Sequence, residues 1–374
     1  MVEVNSSHSW VEIDQAQLIK NIAIIKSAIG DAQLAVVIKS NAYGHGIENI
    51  VPVLQATPEV DWAISFLLSE ALRARGAGFG KPILVCGYVD GNISEAILNS
   101  IDLIVHDRIG LNRYIETAKI LRQPVYVHVK VDTGMSRLGF GPGEAFQILQ
   151  ELQTVPEIVV RGLYSHFSES DALDPWYMQE QTKTFEELLL RLQLAGIKIP
   201  LVHLANTVGA FRLPTVSKNL VRSGGGIYGL LKSLPPASLP VSYWKLKPIL
   251  SWKTRVMQVR EIAANSYISY GRMFQAPTNM RIAVLPVGYA DGYSRELSNS
   301  SVVSIHGKLM PIVGRICMNM MMIDVSNEVV NVGDEAYLLG NLDGVRITDL
   351  MKRLNTISCE IPTRINWTIP RVTI

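Results

Sequence analysis

The chain has 374 residues, 48% of them hydrophobic, which is ample for a large core and suggests one large domain plus a smaller one. Its 35 Lys and Arg nearly balance 33 Asp and Glu, and a net charge of +2 with both signs spread along the chain leaves no basic stripe, so nucleic acid is not an expected partner. The opening residues lack a basic region followed by an apolar stretch, no later segment is apolar for long enough to span a bilayer, and Cys86, Cys317 and Cys359 lack zinc-site spacing, so the expectation is a cytoplasmic protein with free thiols, no metal and no membrane partner.

From Glu12 to about Ser242 short apolar runs alternate with longer amphipathic ones, the cadence of βα units. Strands are predicted at 34–38, 82–88, 103–106, 125–131, 158–166, 201–206 and 220–223, most without polar alternation, as suits strands covered on both faces. Helices are predicted at 15–29, 67–77, 109–118, 143–152 and 177–195. The expected architecture is α/β, a closed (β/α)8 TIM-like barrel over 12–242. A proline-rich segment from Ser233 to Pro240 suits neither helix nor central strand and marks the domain boundary. Beyond it, β-like runs at 250–259, 282–287, 302–305, 309–315, 320–325 and 335–339 predict a mainly antiparallel β domain over 243–374, with residues 1–11 a candidate addition to it. One helix is expected there, at 347–354, before the tail 360–374.

In such a barrel, reactive groups sit on loops after strand C-termini, and the polar clusters of the first domain fall there. Lys39 closes the apolar run 34–38 and opens a polar, glycine-rich turn running to Gly46. Desolvation at such a place favours a neutral amine, able to form a Schiff base; an ordinary solvated surface lysine is the competing reading. Arg222 precedes Ser223 and the glycines 224–226, whose backbone N–H groups could approach a phosphate, although glycine runs also serve plain turns. Asn206 and Thr207, after the strand carrying His203, make a shared anion site plausible. Arg137, shortly after a strand, could clamp a carboxylate with its planar fork or pair with Asp132 at the surface. His166 ends a strand and could equally be a hydrogen-bonded core histidine.

Together these segments resemble the alanine racemase family, pyridoxal-phosphate enzymes that interconvert L- and D-alanine, over nearly the whole chain. The resemblance implies that Lys39 holds the cofactor and serves as one base, with Tyr43 donating to the phosphate. Ser269-Tyr270-Gly271 is similar to the motif supplying the second base, Tyr270. Arg137 would hold the substrate carboxylate, assisted by the backbone N–H of Met318 in Cys317-Met318. Arg222 would face the pyridine nitrogen, Asn206, Thr207, Gly224 and Gly225 would bind the phosphate, and His166 and His203 would link tyrosine and arginine by hydrogen bonds. The segment 287–292 places Tyr289 near the substrate entrance. Lys130 matches a lysine that can be carbamylated to orient Arg137. Because Tyr270 and Met318 lie in the β domain, the resemblance also implies a homodimer with shared active sites, making D-alanine for peptidoglycan.

Racemisation needs a proton to leave one face of the α-carbon and another to arrive on the opposite face, so two acid/base groups must flank it. An unperturbed tyrosine, with a pKa of about 10, is a poor base at neutral pH, and positive charge relayed from Arg222 through His166 would help Tyr270. Two positions depart from the family: Asn319 stands where many members have aspartate, and Trp367 stands in the place expected for a tyrosine near the phosphate and substrate pocket. They keep a serine or broader-specificity racemase as an alternative. A cofactor-carrier protein resembling the barrel alone is a further reading, opposed by the β domain and Tyr270.

Overall fold

The computed structural model describes residues 7–231 and 238–374, so most of the expected proline-rich boundary, from Ser233 to Ala237, lies outside the described residues. After β1 (Ser9–Ile13), eight parallel strands follow: β2 (Gln33–Val37), β3 (Trp62–Leu67), β4 (Ile83–Tyr88), β5 (Ile101–Val105), β6 (Val125–Lys130), β7 (Ile158–Tyr164), β8 (Leu201–His203) and β9 (Leu220–Ser223). They run in the order β8-β7-β6-β5-β4-β3-β2-β9. The ring is nearly closed: Asn206 and Arg222 form a parallel bridge, and the Arg222 N–H donates to the Ala205 carbonyl at 3.1 Å. All five residues of β5 are buried, as expected of a strand with a helical layer outside and packed side chains inside.

The intervening helices form because their apolar positions recur on one face. In Gln15–Ile29 the buried residues include Leu18, Ile22, Ile25 and Ile29, and the Asp14 side chain accepts from the Gln17 N–H to cap the first turn. Among the elements that escaped the pattern are β3, the helix Ile47–Ala56, which carries Pro52 inside it, and the helices Ile93–Leu98 and Thr207–Arg212, too short to show a period. Two barrel strands end two or more residues sooner than expected, β7 at Tyr164 and β8 at His203, because the chain there turns into the loops that carry His166 and Asn206.

The second part is mainly β, with β10 (Leu250–Arg255), β11 (Gln258–Ile262), β12 (Met280–Leu285), β13 (Val302–Ile305), β14 (Lys308–Pro311), β15 (Met321–Asp324), β16 (Glu335–Leu339) and β17 (Arg371–Thr373). The run at 250–259 is two strands in different sheets. Val256 donates to Asp334 and its neighbour Met257 to Val284, so the chain changes sheet between them. β1 lies between β10 and β17 in the six-stranded sheet β14-β13-β16-β10-β1-β17, so the first strand of the chain belongs to the second part and the barrel begins after it.

Asn21 ties the two parts together. Its amide donates to the carbonyls of Ile227 (3.0 Å) and Lys247 (2.8 Å) and accepts from the Lys247 N–H, all from a fully buried site on the first barrel helix. Asn21→Ala leaves these backbone groups unpaired, and we expect a loss of about 2–3 kcal/mol of unfolding free energy, read from urea midpoints.

Candidate active site

One mouth of the barrel collects the charged groups. Lys39 follows β2, Lys130 ends β6, His166 follows β7, His203 ends β8 and Arg222 lies in β9, all at strand C-termini. Their fields overlap: the His166 imidazole, held well below its usual pKa first by burial, also feels Arg222, Lys130, Arg137 and Lys39.

Lys39 opens an unusual turn. Ser40, Asn41, Ala42 and Tyr43 all have φ near +54°, four successive left-handed residues of which none is glycine. Each costs roughly 1–2 kcal/mol, so the surroundings must over-determine them. The Ser40 N–H donates to Glu70 Oε1 at 2.5 Å, and Asn41 Oδ1 accepts from the Ile47 N–H and from Arg73. Buried His45 donates from Nδ1 to the carbonyls of Ala42 and Tyr43, both at 2.9 Å, and stacks on Tyr228 with ring centres 4.5 Å apart. The turn carries the Tyr43 hydroxyl against the glycine run: a Cβ at Gly224 would lie 2.4 Å from Tyr43 Oη, and one at Gly226 would lie 2.3 Å from Thr207 Cγ2. Burial pushes the Tyr43 phenol upward, so it stays protonated and can donate.

Arg222 is the centre of a buried network. One terminal nitrogen donates to His203 Nδ1 at 2.7 Å, the other to His166 Nδ1 at 3.2 Å, and carbonyls of Ser165, His203 and Leu204 take further bonds. Burial lowers its pKa to about 10, which still leaves it charged at neutral pH, and burial and then Arg222 hold His203 well below its usual value. The donors therefore fix tautomers. His203 accepts on Nδ1 and donates from Nε2 to His128 Nδ1 at 2.9 Å; His128 then carries its proton on Nε2, which lies 3.3 Å from Asp102 Oδ2 but off the line of a hydrogen bond. Arg161 completes the chain at 2.9 Å from Asp102 Oδ1. His128 was missed in the sequence, yet the alternation of Tyr126, His128 and Lys130 along β6 places it on the same face as Lys130.

Lys130 is buried under a loop that folds back over it. A Cβ at Gly139, whose φ is +115°, would lie 2.8 Å from Lys130 Cγ. Its Nζ sits 4.9 Å from the Tyr164 ring centre, and burial, with Arg222 adding to it, lowers its pKa to about 7. Asp132 does not pair with Arg137: its Oδ1 accepts from the N–H groups of Gly134, Met135 and Ser136, and Arg137 is exposed at the mouth with no ion pair among the described residues.

In the second part three segments come together. Ser269 Oγ donates to the Arg315 carbonyl at 2.5 Å and lies 3.5 Å from Cys317 Sγ, while Tyr289 and Ala290 donate to the carbonyls of Cys317 and Met318. Gly288 permits this approach, since a Cβ there would lie 2.2 Å from the Cys317 carbonyl oxygen. Tyr270 projects from this cluster 69% exposed, Met318 is also exposed, and Tyr270 makes no hydrogen bond or ring contact to the barrel mouth among the described residues.

One expectation, the place of Trp367 near the phosphate, is corrected by these placements. Trp367 does not stand against the glycines. It is 79% exposed and lines a cleft of about 1390 Å³ with Asn41, Tyr289 and Asn366, whereas the tail side chain facing Gly225 is Cys359, whose Sγ would be 3.3 Å from a Cβ there. The cause is local: the helix Glu360–Arg364 turns the tail away after Cys359. Asn206 Oδ1 caps the helix Thr207–Arg212 through the Gly209 N–H and Nδ2 donates one hydrogen to Ser170, so its second amide hydrogen is the donor left for an anion. Thr207 keeps its place, with Oγ1 2.8 Å from Ser223 Oγ beside the glycines.

A barrel mouth with a strand-end lysine, a glycine cradle and a charged arginine between neutral imidazoles, joined to a β domain that presents an exposed tyrosine, defines an amino-acid isomerase of the barrel type. Models of the alanine racemase N-terminal and C-terminal domains match residues 13–232 and 249–373. The chain belongs to the alanine racemase family. It is 36% identical over 368 residues to an alanine racemase of Clostridium perfringens, covering 97% of this chain and 94% of that one. It is 35% identical to an alanine racemase of Carboxydothermus hydrogenoformans, with 97% and 98% covered. Among solved structures, alanine racemase of Clostridium difficile superposes with a TM-score of 0.93 at 30% identity, covering 99% and 96%. That of Bacillus anthracis, with bound L-Ala-P, gives 0.89 at 33% identity, covering 98% and 95%. No described helix is long and apolar enough to cross a membrane.

Proposed function

We propose that the chain interconverts L- and D-alanine with pyridoxal 5'-phosphate held at Lys39, working as a cytoplasmic homodimer whose product serves peptidoglycan. The observation that carries the reading is Arg222, charged and buried, donating to two imidazoles that burial, with its own field adding to it, keeps neutral. The residues fit the cofactor: the cradle leaves no room for a Cβ at Gly224 or Gly226 and little at Gly225, and Tyr43 brings a protonated hydroxyl to it. Tyr43, Thr207 and the backbone at Gly224 and Gly225 would hold the phosphate, and Arg222 the ring nitrogen. When bound, pyridoxal phosphate supplies an electron sink that makes the α-proton of the amino acid removable.

The remaining work falls to the chain. Arg137 orients the substrate by its carboxylate, which demands the open, unpaired guanidinium found at the mouth, with the Met318 N–H as second donor. Lys39 Nζ moves the proton on one face of the α-carbon and Tyr270 Oη, contributed by the partner subunit, moves it on the other. His166, accepting from Arg222 on Nδ1, carries its proton on Nε2 and offers that N–H to the tyrosine oxygen when it is deprotonated. Tyr289 and Trp367 line the approach, His203 keeps Arg222 in place, and Cys359 stands at the phosphate end.

Lys130 makes no ion pair among the described residues, and its pKa of about 7 leaves much of it a neutral amine at pH 7. Carbamylation by CO2, with release of a proton, would convert it into an anion able to orient Arg137. Stripping CO2 is then expected to lower kcat/KM severalfold, restored by bicarbonate, with a labelled carbamate carbon visible by NMR. The whole reading is tested by L-alanine in deuterated buffer: α-deuterium in the product and D-alanine are expected, faster than with L-serine. Cofactor uptake without exchange would overturn it.

A further inference from the structure

The left-handed turn at Lys39–Tyr43 is braced from the barrel side by Glu70, Asn41 and His45, but its far end, Gly44, is held from elsewhere. Gly44 sits at φ +81°, and a Cβ there would lie 2.0 Å from the carbonyl oxygen of Pro362, so the C-terminal tail lies directly on the turn. From β17, Arg371 reaches the same point. Its Nε donates to the Gly44 carbonyl at 3.2 Å, one terminal nitrogen to Asn366 (2.6 Å) and Ile369 (2.5 Å), and the other to Ile365 (3.0 Å). The backbone carbonyl of Arg371 accepts from Asn49 Nδ2 at 3.0 Å, fastening the strand to the helix that follows the turn. No carboxylate pairs with this guanidinium among the described residues; all four acceptors are main-chain carbonyls, three of the tail and one of the turn.

We propose that Arg371 is a positioning residue for the cofactor lysine: its fork joins the tail of the second part to Gly44 and keeps the turn in its left-handed form. A planar fork suits this, because one rigid group serves carbonyls lying in different directions, which a lysine ammonium on a flexible stem does not. Without it, Gly44 loses a charge-assisted bond and the tail its anchor, and the strained residues relax toward the right-handed region. Relaxation would swing the Tyr43 hydroxyl away from Gly224 and misdirect Lys39 Nζ. The orientation of Lys39 toward pyridoxal phosphate rests on the function proposed above; the bracing of the turn does not.

The test is amide hydrogen exchange on the full-length dimer, as purified and after removal of cofactor, for wild type, Arg371→Gln and Arg371→Lys. The amides of Gly44, His45 and Gly46 report directly, since they donate to Ser40, Ala42 and Asn41 inside the turn. Arg371→Gln is expected to speed their exchange about tenfold or more while β6 and β7 keep their protection, and Arg371→Lys to fall between it and wild type. Cofactor release, followed by absorbance, should quicken in the same order. Unchanged exchange at the turn, or equal acceleration in turn and barrel, would overturn the proposal. If Arg371→Gln fails to fold, Arg371→Lys carries the test. Failure of the cofactor reading shows separately, as wild type taking up no pyridoxal phosphate while the exchange pattern holds.

Discussion

Lys39→Ala is expected to lower turnover of both alanine enantiomers by about ten-thousandfold or more, because it removes the amine that holds the cofactor and one of the two proton-transfer groups together. The effect should be chemical. Lys39 stands at the strand end only partly buried, and the turn behind it is fixed by bonds from Glu70, Asn41 and His45 that do not involve its side chain. Unfolding free energy should therefore change by roughly 0.5 kcal/mol or less. Lys39→Arg keeps the charge and most of the length, but a guanidinium neither gives up its proton nor forms the link to the cofactor, so it should be as inactive as alanine. A small external amine added to Lys39→Ala should restore part of the α-proton exchange if a missing base is the cause. Activity within tenfold of wild type would exclude Lys39 from the reaction.

The difference between what sequence showed and what only coordinates show follows from range. The helix 15–29, strand 220–223 and strand 302–305 stand where their periods put them, because each encodes its burial within a few residues. Lys39, Arg222 and His203 were legible as strand-end polar residues, and the barrel brings them to one mouth. The left-handed turn was not legible: Ser40 to Tyr43 contains no glycine, and its form depends on Glu70 and Arg73 from the helix Leu68–Gly76 and on Tyr228 from the turn after β9. The exchange of Trp367 for Cys359 has the same origin. The resemblance placed an aromatic near the phosphate, but a five-residue helix and the packing of Pro362 on Gly44 decide which side chain meets the glycines.

Tyr270→Phe should lower racemisation by about a hundredfold to ten-thousandfold and do so asymmetrically. It removes one oxygen and keeps the ring, so folding should be unaffected; the side chain is 69% exposed in the single chain. If Lys39 serves one face and Tyr270 the other, exchange of the D-alanine α-proton with solvent should survive better than that of L-alanine, since only the L direction begins at the tyrosine. Equal loss in both directions would mean that Tyr270 binds without transferring protons. In the proposed shared site, a second subunit brings this exposed tyrosine to the lysine. In a dimer of Lys39→Ala with Tyr270→Ala, one site carries both substitutions and the other neither. Random mixing makes half of the dimers hybrid, each with one intact site, so activity should recover to about a quarter of wild type from two inactive parents. A tyrosine acting on the lysine of its own chain would leave every site defective. Absence of recovery, with subunit exchange verified by mass, would therefore rule out the shared site and require Tyr270 to fold back onto its own barrel.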